Sequence, residues 1–271
     1  MSEPFHITTY CEEPDFARNS SYGSNRDIVL STLRDRSSLG SYSNTTTGLR
    51  PNTVYGMFLC RGDINRPSCS DCVQRATLEM AKNCTSKEGV IFYEECMVRY
   101  SDFSFFKLEE DTFSTSVYSL IPLMNSTQFL KETLREKIID LIPRASLSTP
   151  IPYFVEDQER VNHLGRSFDL KAIVQCSPDL DPRNCTICLR RASQDISGCC
   201  PYNQIIWAQI FLPKCLVHYN ISGFKPDELG PPGEVVPPDV EVSLGFTKGN
   251  GISGRTLIAI LTVLVLALTG L

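Results

Sequence analysis

The cysteines of this chain form two matching sets, and this duplication constrains the fold more than any other feature. The motif C-x8-C-x2-C occurs twice, with an offset of 116 residues. A fourth pair of cysteines has the same offset, and the two members of the fifth pair are 119 residues apart, which indicates a short loop insertion. The matched pairs are Cys60 and Cys176, Cys69 and Cys185, Cys72 and Cys188, Cys84 and Cys200, and Cys96 and Cys215. We therefore predict two homologous domains, at residues 4–108 and 118–224.

Disulfides in an oxidising compartment explain these cysteines best. The 12 cysteines, completed by Cys11 and Cys199, are even in number and lie among Asn-x-Ser/Thr sequons. That combination is typical of an exported glycoprotein. The predicted glycosylation sites are Asn19, Asn44, Asn83, Asn125, Asn184 and Asn220.

The beginning of the chain conflicts with export, because Met1–His6 has no apolar signal-peptide core. Either the N-terminus is incomplete or processed, or the protein never enters the secretory route. The sequons, the cysteine repeat and the apolar C-terminal end favour the first explanation. The net charge of −5 argues against a nucleic-acid partner, since binding to phosphates needs an excess of Lys and Arg.

Hydrophobic periodicity predicts the same elements in both domains. One helix per domain carries two cysteines at helical spacing, beginning near Pro67 in the first domain and repeating the same steps from Cys185 to Ile196 in the second, so each helix should turn its cysteines toward the core. Another helix is predicted over 25–36 and over 127–142. Strands are predicted at Thr53–Cys60, Gly89–Tyr100, Ala172–Cys176 and Ile205–Phe211. This order indicates an α+β fold with helices on one face of an antiparallel sheet.

The C-terminal region differs in composition. Residues 225–255 are rich in Pro and Gly and predict an extended stalk. Residues 256–271 are uncharged and predict a hydrophobic membrane segment. That segment is either a short or truncated transmembrane helix, a glycolipid-anchor signal or a weakly inserted end.

Three features together resemble a known plant family. They are the tandem C-x8-C-x2-C motif, the sequence Tyr93–Ser101 (YEECMVRYS), and the Cys199-Cys200 pair before the last cysteine. The chain resembles tandem ginkbilobin-like domains, also called stress-antifungal domains, over about residues 4–224. Such tandems occur in the ectodomains of cysteine-rich receptor-like kinases, in cysteine-rich repeat secretory proteins and in plasmodesmata-located proteins.

The resemblance implies two helices packed on a sheet of about five strands, held by three disulfides per domain. In the first domain it pairs Cys60 with Cys69, Cys72 with Cys96, and Cys11 with Cys84. In the second it pairs Cys176 with Cys185 and Cys188 with Cys215. The third pair there is undecided, because the expected partner of Cys200 falls near Thr127. A Cys199–Cys200 bond, two free thiols or a rearranged pairing are the alternatives.

Catalytic, metal and redox sites are poorly supported by the sequence. The C-x2-C pairs could bind zinc or exchange disulfides, but each belongs to a longer cysteine pattern that favours structural disulfides. The histidines His6, His163 and His218 lack a free cysteine or serine partner at a recognisable spacing. We therefore expect no enzyme activity, no cofactor and no metal. A redox-sensing function would depend on Cys199 and Cys200.

The mannose site of ginkbilobin-type proteins is not preserved in this chain. The resemblance places it at Glu12, Val90 and Ser101 in the first domain, where Asn, Arg and Glu would be needed. The second domain has Gln209 and Asn220 at the last two positions. These residues lack the required donors and charge. We expect Phe103, Phe105 and Phe106 to pack in the core rather than to form a ligand platform.

The sequence thus predicts an extracellular, non-enzymatic module at the plasma membrane. It would act as a receptor-like ectodomain or scaffold, without a kinase domain in this chain, in stress or defence signalling. Its partners would be a protein or a cell-wall carbohydrate, a co-receptor or a second copy. The alternatives are an antifungal lectin and a redox sensor, in secreted or glycolipid-anchored form.

Overall fold

The structure is a computed structural model that describes residues 3–106, 114–120, 127–148, 153–163, 166–198, 205–223 and 243–245. The first domain contains β1 (His6–Asp15), α1 (Ser21–Arg36), β2 (Tyr42–Thr47), β3 (Val54–Cys60), α2 (Arg66–Asn83), β4 (Ser86–Tyr93) and β5 (Cys96–Ser101). The second repeats that order as β6 (Ser114–Leu120), α3 (Thr127–Ser146), β7 (Phe154–His163), β8 (Arg166–Cys176), α4 (Pro182–Gly198), β9 (Ile205–Leu212) and β10 (Cys215–Ser222). A further strand, β11, comprises Ser243–Gly245.

The two domains have the same sheet topology. The first sheet has the order β1-β4-β5-β3-β2, and the second has the equivalent order β6-β9-β10-β8-β7. All pairs are antiparallel, so the predicted α+β class and the sheet of about five strands are confirmed.

Two predicted boundaries need correction. The predicted start of the second domain at 118 falls inside β6, which joins its sheet from Ser114. The segment 225–255 was predicted to be a stalk alone, but β11 lies within it and pairs with β6 as a sixth strand. The sheet therefore extends further along the chain at both ends than the cysteine pattern indicated.

Capping residues set where the helices begin. Ser20 accepts a hydrogen bond from the Gly23 amide and starts α1, and Asn65 accepts one from the Ser68 amide and starts α2. In α2 the predicted apolar face is buried, and the equivalent face of α4 is buried as well. These buried residues are Cys69, Cys72, Val73, Ala76 and Met80, and Cys185, Cys188, Leu189 and Ala192. Each helix thus directs its cysteines into the core, as predicted.

One predicted strand is in fact two. The predicted strand Gly89–Tyr100 forms β4 and β5, which pair with each other through a tight turn at Glu94 and Glu95. Glutamate is not a characteristic turn residue, so this hairpin could not be predicted from residue type.

Five disulfides join the described cysteines. They are Cys11–Cys84, Cys60–Cys69, Cys72–Cys96, Cys176–Cys185 and Cys188–Cys215, the pairs that the resemblance implied. The bond between Cys11 and Cys84 closes the longest loop, with 73 residues of separation, so it restricts the unfolded chain most. Cys199 and Cys200 lie outside the described residues.

Gly56 lies where helix α1 packs closely on β3. A Cβ added there would overlap Cγ1 of the buried Val29 and lie 3.3 Å from Cδ1 of Leu33. We expect Gly56→Ala to lower the free energy of unfolding by about 1–3 kcal/mol, because the helix must move away from the sheet. Gly40→Ala is the control, since its added Cβ would meet its nearest atom at 3.7 Å. Chemical unfolding measures both, and equal stabilities of the two variants would contradict the expectation.

Candidate functional site

The two domains meet through the sheet faces that carry no helices. Along each strand, alternate side chains face the helices, and the others join a cluster shared by both domains. This interdomain cluster consists of Ile7, Met57, Leu59, Val90, Phe92, Met97, Phe105, Val117, Ile173, Phe211 and Leu216. The tandem therefore has four layers: helices, sheet, sheet and helices.

Equivalent aromatic residues contact each other across this interface. Phe92 and Phe211 occupy the same position in their domains, 119 residues apart, and both are buried. Their ring centroids are 5.2 Å apart with an interplanar angle of 47°. Such a pair contributes its buried area and a favourable ring geometry.

Two buried glutamines of the second domain add polar contacts to the apolar interface. The Gln209 Oε1 atom accepts a hydrogen bond from Arg61 Nη1 at 2.8 Å, and its Nε2 donates to the Glu94 carbonyl at 3.0 Å. Gln175 accepts from the Gly62 amide at 2.9 Å and donates to the Cys60 carbonyl at 3.1 Å. These bonds satisfy both amide groups and fix the position of one domain on the other.

The first domain has apolar residues at the positions of these glutamines. Val90 is equivalent to Gln209, and Leu59 is equivalent to Gln175. The two halves of the interface therefore differ, and the polar groups that the glutamines satisfy all belong to the first domain.

We expect Gln209→Leu to lower the free energy of unfolding by about 1–3 kcal/mol, because Arg61 loses a buried acceptor and the Glu94 carbonyl loses a donor. The matched control is Gln74→Leu, since Gln74 is exposed on helix α2. Denaturant titration measures both variants. A loss confined to the control would show that the interdomain amide is unimportant.

Two buried cations lie beside the same phenylalanine. The Arg99 guanidinium is 4.3 Å from the Phe105 ring centroid and forms an ion pair with Glu88 at 2.5 Å. Lys214 Nζ is 5.1 Å from that centroid, 2.6 Å from a carboxylate oxygen of Asp179 and 3.5 Å from Sδ of Met57. Each charge is therefore compensated by a carboxylate of its own domain, while the contacts of Lys214 with Phe105 and Met57 cross the interface.

His218 is buried on the same sheet face. Burial, and after it the nearby Arg61 cation, together lower its pKa to about 3. Its Nδ1 atom is buried without a hydrogen-bond partner among the described groups. The ring of Trp207 contacts it edge to face, with centroids 5.8 Å apart. The histidine is thus neutral in the folded protein at neutral pH.

The positions equivalent to the mannose site do not form a binding site here. Val90 belongs to the interdomain cluster and is 1% exposed, and Gln209 is fully buried in its hydrogen bonds with the first domain. Ser101 is buried, whereas Glu12 and Asn220 are exposed. Besides lacking the required residues, these positions are divided, since Val90 and Gln209 are buried between the domains while Glu12 and Asn220 face solvent.

The other predicted candidates are placed as follows. Each cysteine of the C-x2-C pairs bonds to a cysteine outside its own pair, so these motifs are structural. In the part of the chain that the structure describes, no group of three His, Cys, Asp or Glu side chains could hold a metal ion. His6 is exposed, and its Nε2 lies 2.9 Å from the Thr9 hydroxyl and 3.5 Å from Glu79. His163 ends β7, and its side chain is not among those described.

Of the three phenylalanines predicted to pack in the core, two do so and one is exposed. Phe105 is fully buried and Phe106 is half-buried, which confirms their packing role, but Phe103 is 74% exposed and was predicted wrongly. A polar turn places the Phe103 side chain in solvent, since its amide bonds to the Ser101 hydroxyl.

The sequons differ in accessibility. Asn19, Asn83 and Asn220 are exposed. Asn44 and Asn184 are half-buried, and their side-chain amides donate to the Tyr42 hydroxyl at 2.8 Å and to Asp181 at 2.9 Å. Asn125 lies outside the described residues. Glycosylation of all six stays a prediction.

Among the helices of the described residues, none has the length and apolar composition needed to cross a membrane. The predicted membrane segment at 256–271 lies outside those residues.

The interdomain interface was missed by the sequence reasoning, although a signal was present. Strands β3 and β9 read as nearly continuous apolar runs, VYGMFLC and IIWAQIFL. A strand with one solvated face alternates between apolar and polar residues, whereas a continuous run indicates that both faces are covered. That pattern predicts a second layer on each sheet, opposite the helices.

Comparisons with known proteins agree with this architecture. The family model described as "Salt stress response/antifungal" matches residues 10–103 and 110–222. The chain is 56% identical over 257 residues to cysteine-rich repeat secretory protein 5 of Arabidopsis thaliana, covering 93% of this chain and 90% of the relative. It is 46% identical over 303 residues to cysteine-rich repeat secretory protein 9 of the same plant, covering 100% of this chain and 92% of the relative.

A solved structure shows the same fold. It is the tandem DUF26 ectodomain of the Arabidopsis thaliana cysteine-rich receptor-like protein PDLP8, with a TM-score of 0.67 and 22% identity. The match covers 82% of this chain and 100% of that one. With its duplicated cysteine pattern, paired sheets and matching relatives, the chain belongs to the plant family of tandem salt stress response/antifungal (DUF26) domain proteins, which comprises cysteine-rich secretory proteins and receptor-like ectodomains.

Proposed function

We propose that this protein is a non-enzymatic extracellular binding module that acts as a receptor-like ectodomain or scaffold in plant stress or defence signalling. It would act at the plasma membrane, held there by its C-terminal segment, and would engage a protein or a cell-wall ligand. The observation that carries the proposal is the disulfide-linked tandem whose two sheets cover each other. Such a body offers a stable surface, and its relatives are secretory proteins.

The buried sheet faces narrow down where a ligand would bind. The interdomain cluster and its glutamines are inaccessible, so binding would use the helical faces, the strand edges or the rim of the interface. Large apolar side chains are exposed on these parts, including Ile28 on α1, Leu78 on α2 and Ile139 on α3. Scattered apolar residues of this kind suit protein contacts better than a deep sugar pocket.

A binding experiment on the exported chain tests the proposal. The full chain, secreted by plant cells behind a cleavable signal sequence, would be applied to arrays of cell-wall polysaccharides and plant cell-surface ectodomains. We expect disulfide-bonded protein at the cell surface, saturable binding to at least one partner, and no binding to mannan. Native protein found in the cytosol with reduced thiols would refute the proposal, and binding competed by free mannose would replace it with the lectin alternative.

A single substitution tests whether the sheet face that corresponds to the mannose site can bind sugar. Glu12→Asn restores one residue of the family's sugar site at an exposed position, whereas Val90 stays buried in the interface. We expect this variant to remain inactive towards mannan. Mannan binding gained by Glu12→Asn would show that the sheet face is accessible after all.

A further inference from the structure

The face of the second sheet that packs on the first domain extends past the interface, and there it is exposed to solvent. Across neighbouring strands, Gln209, His218 and Ile173 lie in one row and are all buried. The next row contains Trp207 on β9 and Asn220 on β10, which are half-buried and exposed, respectively. Cover by the first domain therefore ends between these two rows.

Trp207 and Asn220 are direct cross-strand neighbours. They are paired in the register of β9 and β10, so their side chains leave the same face of the sheet. Directly opposite residues in antiparallel strands have Cβ atoms about 4.5–5.5 Å apart. A group attached to Asn220 Nδ2 would therefore begin within reach of the indole.

Asn220 is also the acceptor of the sequon Asn220-Ile221-Ser222. In glycan transfer from a lipid-linked donor, Nδ2 loses a proton and bonds to C1 of the first sugar, while the bond from C1 to the phosphate oxygen breaks and the lipid diphosphate leaves. That first sugar is N-acetylglucosamine, whose ring has an apolar face of C–H groups. Trp207 offers the large flat ring against which such a face packs.

We propose that Trp207 is a binding platform for the first N-acetylglucosamine of a glycan on Asn220. The inference rests on the export of the chain that the proposed function includes. The sugar lies on the indole at the rim of the interdomain interface, next to the buried His218. It covers this face against other ligands and against association with other sheets.

The first domain has no counterpart of this arrangement. Glu88 is equivalent to Trp207, and Ser101, which is buried, is equivalent to Asn220. The platform thus belongs to the second domain alone.

The single tryptophan makes the proposal directly measurable, because Trp207 is the only source of indole fluorescence in the chain. The full chain and its variant Ser222→Ala, which loses the sequon but keeps Asn220, would be secreted by cells whose glycans remain high-mannose. Acrylamide quenching then measures access to the indole. A sugar on one of its two faces should reduce quenching about two-fold relative to Ser222→Ala.

Two controls separate the sugar from other causes. Asn19→Gln removes a predicted glycan at an exposed site before α1 and should leave quenching unchanged. Treatment with an endoglycosidase that leaves one N-acetylglucosamine should also preserve the protection, because only the first sugar contacts Trp207.

Glycopeptide mass spectrometry on the same samples distinguishes the possible failures. A secreted chain with no occupied sequon would overturn this inference alone, whereas native protein found in the cytosol with reduced thiols would overturn the proposed export and this inference with it. Occupied sequons elsewhere with a bare Asn220, or an occupied Asn220 with quenching equal to that of Ser222→Ala, would overturn the platform alone.

Discussion

Replacing Lys214 with methionine should lower the free energy of unfolding by about 3–5 kcal/mol, because it leaves the Asp179 carboxylate in a buried place without its cation. The Lys214 side chain is 1% exposed and that of Asp179 is 8% exposed, and their charged atoms are 2.6 Å apart. Methionine keeps most of the volume against Phe105 and Met57, so the loss reports the uncompensated charge rather than a cavity. Denaturant unfolding at neutral pH measures it.

Two further variants test the cause. Removing both charges with Lys214→Met and Asp179→Leu should restore most of the stability, since replacing a buried ion pair by apolar residues is often neutral. Lys171→Met is the matched exposed control. Lys171 pairs with Glu156 at 2.8 Å, but the two side chains are 34% and 37% exposed, so the cost should stay below about 1 kcal/mol. Similar losses for Lys171 and Lys214 would contradict the prediction.

Acid should weaken the folded tandem through His218. Its pKa is about 3 in the folded protein, against about 6.5 when unfolded. As pH falls below about 6.5, the unfolded chain binds a proton that the folded protein does not, so stability decreases until the pH nears the folded pKa. Between pH 7 and about pH 4.5 this linkage removes about 3 kcal/mol. The variant His218→Phe should lack that slope.

Unfolding curves at several pH values measure the difference between wild type and variant. The groups around His218 that also carry charge are Arg61, Asp63 and Lys171. The Asp157 carboxyl, whose pKa is lowered by Arg144 and Lys137, also makes stability fall in acid, but only below about pH 4. His6→Phe is the exposed control and should keep the wild-type slope. Equal slopes for wild type and His218→Phe would show that the histidine does not carry the effect.

The helices and the central strands β3, β4, β5, β8 and β9 could be predicted from the sequence because their apolar residues recur with a clear pattern, whereas the central strand β10 was missed. Leu30 and Leu33 mark α1, and the cysteine spacing marks α2 and α4. The strands β1, β2, β6 and β7, at or near the sheet edges, were also missed. Segments such as YSNTTT and FVEDQERVNH carry polar or charged residues that protect a sheet edge. Local propensity cannot distinguish such strands from loops.

The apolar runs in β3 and β9 indicate a covered sheet face, but the residues that meet across the interface could not be predicted from the sequence. Val90 was recognised as an unsuitable sugar ligand, but its burial depends on a second sheet far away in the sequence. The same is true of Gln175 and Gln209, whose partners lie more than 100 residues away. A polar residue in an apolar strand reads as a surface position until its acceptor and donor are known.

The two halves of the interdomain interface carry different residues, and this asymmetry also affects how the domains can be exchanged between related genes. Gln209 bonds to Arg61 and Phe211 packs on Phe92, so the effect of a substitution on one side depends on the residue present on the other. A chimera that takes one repeat from a relative with different contact residues would have mismatched side chains across the interdomain interface. In this architecture the unit that can be exchanged between proteins is therefore the pair of domains together, rather than a single domain.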